Sequence, residues 1–249
     1  MEQLNERIWK IWDKHSALTD GLNRAPLIYP EMNRAGFLCV GMNPSFSEGE
    51  SKLNTSSKLF NDITRNKFYS IETAKQFGES WNFEELDQQA YSFNNHPYHK
   101  LYKKIIDLIL EPLCVDFQHV DLFPIRETSQ KLILSLLQKE KTNKKNYPNL
   151  NELGKDLLNV FIEMLNFISP DYLMINNAEV SHILLSHFGV HREKGLDQER
   201  GCYYFDISGK QVPVFCSGML SGQRALDVYS RERLFWHIKS FIKANKKCS

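Results

Sequence analysis

The sequence predicts an α/β protein, a three-layer α/β/α sandwich around a mostly parallel central sheet of about four strands. Three observations carry that reading. Short apolar runs at 37–42, 119–123 and 171–176 have the length of strands buried on both faces. Between them, apolar residues recur every three to four positions, the spacing of helices lying on a core. Strands that alternate with helices in this way favour parallel pairing.

Taken in order, Leu4, Ile8, Ile11 and Trp12 share one face of an amphipathic helix, which "NRAPLIYPE" ends with two prolines. The first strand follows at 37–42. Residues 45–99 are polar and aromatic, with little periodicity beyond a short helical pattern at Leu59, Phe60 and Ile63. An excursion of that length inside a compact domain marks a functional segment. Next come a helix over 98–110 with Leu101, Tyr102, Ile105, Ile106 and Ile109 inward, and the strand at 119–123. A helix over 128–138 carries Leu132, Ile133, Leu136 and Leu137, and "KEKTNKKNYPN" is a solvated basic connector. Leu153, Leu157, Phe161 and Leu165 mark a further helix, before the strand at 171–176 and a helix over 178–188. "CYYFDISGKQVPVFC" reads as two strands around a Ser208-Gly209 turn. A last helix spans about 223–243 through Leu226, Leu234, Ile238 and Phe241. No repeat or linker divides the chain, so residues 1–249 read as one domain, with 1–27 as a helix and lead-in.

Hydrophobic residues make up 42% and charged residues 24% of the 249, which supplies a packed core and argues against disorder. The net charge is only +1, so an anionic partner depends on local basic patches. Five cysteines (Cys39, Cys114, Cys202, Cys216, Cys248) lack C-x-x-C spacing, which favours free thiols in a reducing, cytoplasmic setting. "MEQLNERIWKIWDKH" lacks the apolar core of a signal peptide, and no apolar run has the length of a membrane span. Without a P-loop or G-x-G-x-x-G, a nucleotide-triphosphate or dinucleotide enzyme finds no support.

Chemistry in such sheets gathers beyond the carboxyl ends of the strands. There, "GMNPS" sets Asn43 before a proline that restricts it. "VFCSGMLSGQRALD" runs through small residues into a helix, with Ser221 as its expected N-cap and Arg224 just inside. Exposed amides at that point suit a phosphate. His96 and His99 stand three apart without a third ligand, and Cys216 has no acyl-transfer signature around it. No metal and no cofactor are expected, and Cys216 reads as an inert thiol.

The order of these features resembles the uracil-DNA glycosylase superfamily, most closely its mismatch-specific branch with a Gly-x-Asn-Pro loop. "FLCVGMNPS" is similar to the first motif. "FNNHPYHKLYKKI" at 93–105 is similar to a segment in which Phe precedes His-Pro and an aromatic-basic helix. "HVDLFPIRET" and "DYLMINNAEVSHIL" occupy the places of the second and third strands, and "VPVFCSGMLSG" that of the last motif.

The resemblance implies a monomeric, metal-free enzyme of DNA base-excision repair. It would flip a uracil or a mismatched or modified base from DNA and hydrolyse its N-glycosidic bond. By the same resemblance Asn43 orients the attacking water, and Phe93 stacks on the base with Phe46 as the local alternative. Amides at Met42 face the base, and Asp121 stands where related branches read the base with Asn. Ser217, Gly218, Met219 and Ser221 would approach the DNA backbone, Met219 as a wedge. Two departures stand out: an ionised Asp121 only accepts hydrogen bonds, and Cys216 replaces the His or Asn of the last motif. A catalytically inactive member of the fold that binds nucleic acid or a nucleobase-like ligand is therefore the alternative expectation.

Overall fold

The computed structural model describes residues 2–22, 24–27, 29, 36–44, 99–138, 149–220 and 225–245. In chain order these form α1 (Glu2–Lys14), α2 (Ser16–Thr19), β1 (Phe37–Gly41), α3 (His99–Ile105), β2 (Phe117–Asp121), α4 (Gln130–Leu137) and α5 (Glu152–Ile168). There follow β3 (Tyr172–Ile175), α6 (Ala178–His187), β4 (Tyr203–Ile207), β5 (Lys210–Cys216) and α7 (Val228–Asn245). One π-helical turn, Ile106–Leu110, continues α3.

The strands make one five-stranded sheet in the order β2-β1-β3-β5-β4. β2, β1, β3 and β5 run parallel, and β4 closes one edge as an antiparallel hairpin with β5. The α/β class with a mostly parallel sheet therefore stands. The expected four strands become five, because both halves of the Ser208-Gly209 hairpin join the same sheet. Ser208 (φ 52°) and Gly209 (φ 80°) make that turn in the left-handed region.

β1, an interior strand between β2 and β3, is buried along its whole length. Its period of two sends Leu38 and Val40 into one core, with α1, α5 and α6, and Phe37 and Cys39 into another, with α3 and α7. Helices thus cover both faces, which is why these strands are apolar without alternation. Each fully buried aliphatic or aromatic side chain in these cores contributes about 1.5–3 kcal/mol.

Two element boundaries differ from the sequence expectation. β2 covers 117–121, not 119–123: beyond Asp121 the N–H groups of Leu122 and Phe123 turn to the carbonyls of Gly41 (3.0 Å) and Met42 (2.9 Å). That turn leaves the ladder while staying bonded to the β1 loop. The final helix starts at Val228, not near Gln223. Asp227 caps it, its Oδ1 accepting the Ser230 N–H at 3.0 Å and its Oδ2 the Ser230 hydroxyl at 2.6 Å. Ala225 forms a bridge with Met219, which holds the chain extended just before that cap. Ser221 and Arg224, expected at the start of the last helix, lie outside the described residues.

The helix that follows β3 starts on a buried cap. Asn177 Oδ1 accepts the N–H groups of Glu179 (2.9 Å) and Val180 (3.2 Å), and its carbonyl accepts the Ser181 hydroxyl at 2.9 Å. Asn177→Ala is expected to lower stability by about 1–2 kcal/mol. The measurement is the urea midpoint at an unchanged slope, and an unshifted midpoint would remove the cap from the account of α6.

Candidate functional site

Beyond the carboxyl ends of β1 and β2 the chain makes one laced unit. Register pairs Gly41 with Asp121, and the two loops that leave these residues stay bonded to each other. Leu122 and Phe123 donate back to the first loop, and the Glu127 N–H donates to the Pro44 carbonyl at 3.1 Å.

Asn43 sits at the centre of this lacing. Its Nδ2 donates to the carbonyls of Pro44 (3.2 Å), Ile125 (3.2 Å) and Glu127. Carbonyl oxygens only accept, so they fix which end of the amide faces inward. Oδ1 is left over as an acceptor, and no described residue donates to it. Glu127 braces the same point: Arg24 pairs with Oε2 at 2.8 Å, and the Ser129 N–H donates to Oε1 at 2.9 Å. The amide of Asn43 is thereby held in one orientation by groups that cannot rotate away.

Asp121 lies on the α3-covered face of the sheet edge and is only 5% exposed. Its Oδ1 rests above Gly41: a Cβ built at residue 41 would stand 2.2 Å from that oxygen and 3.1 Å from His119 Nε2. Glycine here makes room for a carboxyl group. His119 Nε2 lies 3.9 Å from Asp121 Oδ1, and the His119 ring tilts against Tyr102 with centroids 4.8 Å apart. The buried Asn176, just past β3, donates through Nδ2 to the Tyr102 hydroxyl. Tyr29 donates its hydroxyl to the Asp121 carbonyl at 2.6 Å; burial, with Asp121 nearby, pushes that phenol well above its ordinary range. Burial likewise raises the Cys39 thiol beneath.

Asn43 and Asp121 lie at the ends of adjacent strands, on loops bonded to each other. The Met42 side chain is core, 3% exposed, so any part it plays at a ligand falls to its backbone; no described carbonyl accepts its N–H. Ser217 turns its hydroxyl to the carbonyls of Gly218 (3.0 Å) and Ile175 (3.4 Å), which draws it toward its own backbone rather than outward. Met219 is tethered, its sulfur accepting from Gln130 Nε2 at 3.6 Å and its carbonyl from the Leu226 N–H at 2.8 Å. Because Gln130 opens α4 three residues after Glu127, this tether brings the β5 loop to the segment that holds Asn43. Phe93, Phe46, Ser221 and Arg224 lie outside the described residues.

The sequence reading passed over His119 as a site residue and left Tyr102 and Asn176 without a joint role. His119 was accessible to it, because the strand period of two carries Asp121 and His119 to the same face. The Tyr102–Asn176 contact joins residues 74 apart and leaves no local signal.

Cys216 ends β5 half-buried beside Ser181 of α6. Burial pushes its thiol up to about 11, with the Ser181 hydroxyl acting in the opposite direction. A neutral thiol is neither nucleophile nor metal ligand at neutral pH. Among the described residues no group of three or more His, Cys, Asp or Glu side chains is placed to hold a metal ion. No helix among them is long and apolar enough to cross a membrane.

Two outcomes check this geometry. Gly41→Ala is expected to cost about 1–3 kcal/mol in urea unfolding through overpacking. Adding Asp121→Ala to the same chain should restore part of the loss, since the methyl would then meet no carboxyl oxygen; strictly additive losses would contradict the placement of Oδ1. Iodoacetamide at pH 8 should label the exposed Cys114 and spare Cys216. Labelling of Cys216 should rise only as the pH approaches its value of about 11, followed by peptide mass spectrometry. No protein-family model matches this chain, and no curated protein matches it either.

Proposed function

We propose that this chain is a DNA N-glycosylase of the uracil-DNA glycosylase type, hydrolysing the N-glycosidic bond of uracil or of a mismatched or modified base flipped from DNA. One observation carries the reading: Asn43 stands just past the end of β1 with Nδ2 committed to backbone carbonyls and Oδ1 left as an acceptor. An amide held in that way accepts one hydrogen of a water and so aims the water's oxygen, without taking its proton.

In the proposed reaction that oxygen bonds to C1′ as the C1′–N bond breaks. The electron pair leaves with the base as an anion, and the proton of the water passes to solvent. Dipoles directed at the departing base lower the barrier, and a rigid loop supplies them without rearrangement. Asp121, ionised, would accept from a ring N–H or an exocyclic amine of the base. Gly41 keeps the space in which that carboxyl sits.

One observation favours a second reading, a non-catalytic nucleic-acid or nucleobase binder. At the end of β5 a thiol, Cys216, stands half-buried against Ser181 and protonated at neutral pH, a poor donor toward a base anion. The two readings part in one assay. Duplex and single-stranded oligonucleotides carrying uracil, mismatched thymine or hypoxanthine are incubated with the protein, and abasic sites are scored by alkaline cleavage. Excision of at least one base, slowed on the order of 100-fold by Asn43→Ala, is expected. No cleavage by wild type on any substrate, with DNA binding retained, would overturn the enzyme and leave the binder.

A further inference from the structure

Helix α7 carries a surface that its packing does not explain. Its inward side places Ile238, Phe241 and Ile242 in the core. Facing solvent are Tyr229 and Trp236, 75% and 70% exposed, the two largest exposures among the bulky hydrophobic residues described. They are seven residues apart, within about 20° of two full helical turns, so both rings fall on one stripe about 10 Å long. Glu232 and Arg233 lie between them, one on either side of the stripe; no described carboxylate pairs with Arg233, and of the two only Arg233 lines the groove beside it.

Beside this stripe runs an open groove of about 590 Å³. Its walls are Arg233, Leu234, Trp236 and His237 of α7 on one side and the Cys216–Ser217–Gly218 loop on the other. The lining contains a guanidinium and no carboxyl group, so its charge complements an anion. His237 is braced by its Nε2 contact to the Arg200 carbonyl at 2.7 Å, which keeps that wall in place. The groove opens at the carboxyl end of β5, the same edge of the sheet that bears Asn43 and Asp121.

We propose that this stripe and groove bind single-stranded nucleic acid, with Trp236 and Tyr229 stacking on unpaired bases and Arg233 meeting a phosphate. Exposed aromatic rings alternating with a cation suit single strands, whose bases offer stacking faces in any sequence. Leu226, Leu234 and Trp236 give the groove apolar surface for the faces of bases, and Arg233, Ser230 and His237 give it polar groups for the strand's backbone. The choice of nucleic acid rests on the glycosylase reading and extends it from the flipped base to the strand that carries the base.

The test uses the full chain and a fluorescein-labelled oligo-dT with no excisable base, followed by anisotropy. Trp236→Ala and Tyr229→Ala should each weaken binding roughly ten-fold. Arg233→Ala should reduce the slope of log affinity against log salt by about 0.7, the value of one phosphate contact on a single strand. All three side chains are exposed, so circular dichroism and melting should be unchanged. Affinities equal to wild type in the aromatic variants would overturn the proposal. So would a wild-type dimer on size exclusion that Trp236→Ala converts to a monomer without loss of oligo-dT affinity, which would assign the face to a second copy of the chain. Trp236-dependent binding without excision of any base would sustain this inference and defeat the glycosylase reading, whereas excision with Trp236-independent binding would do the reverse.

Discussion

The register of β1 against β2 is the constraint on which the rest depends, because it sets Gly41 opposite Asp121. Side chains alternate with a period of two, so a slip of one residue would carry Asp121 to the opposite face and into aliphatic packing. In the observed register the carboxyl lies over the one residue in β1 without a side chain. Phe37, Cys39, Leu38 and Val40 meanwhile enter two separate cores. The burial of those side chains therefore holds the polar arrangement in place, and Cys39 meets it directly through Tyr102.

From that register the loops follow. With Asp121 beside Gly41, the next two N–H groups reach the carbonyls of Gly41 and Met42, and the turn through Pro124 comes back across Asn43. The two ends of the Asn43 side chain then differ. Its nitrogen ties two loops together, and no described residue donates to its oxygen. A carboxylate could not do the first, since it has no proton to offer three carbonyls. The amide suits the position for a structural reason before any chemical one, and the rigidity it provides is what positioning chemistry needs. Glu127, held by Arg24 and by the Ser129 N–H, makes the far side of that clamp equally fixed.

The end of β5 has a different character. Cys216 stands against α6, Ser217 bonds to its own backbone, and Met219 is tied to Gln130 and Leu226. Cys216, Ser217 and Gly218 are half-buried there and line one wall of the groove. The polar and aromatic groups near this edge come instead from α7, across the groove. A site built in this way would take its orientation from the β1 and β2 loops and its reach from a helix.

Much of the fold was legible in the sequence. Strands buried on both faces show as unbroken apolar runs, and helices on a core repeat every three to four residues. These are local patterns that no distant residue needs to complete. Asn43 could be picked out for the same reason, since Gly-Met-Asn-Pro at the end of such a run marks a strand end. The polar cluster and the helix start were not legible. Which end of the Asn43 amide points inward is set by carbonyls 82 and 84 residues away, and the capping of α7 by Asp227 follows an extended segment that bridges back to Met219. Gly41 reads as a loop glycine until Asp121 is placed above it. The sequence by itself determined the class of fold, most of its elements and the strand end that carries Asn43. Only the tertiary structure decided orientation, because hydrogen bonds and close approaches between distant strands depend on a register that is absent from the local pattern of either one.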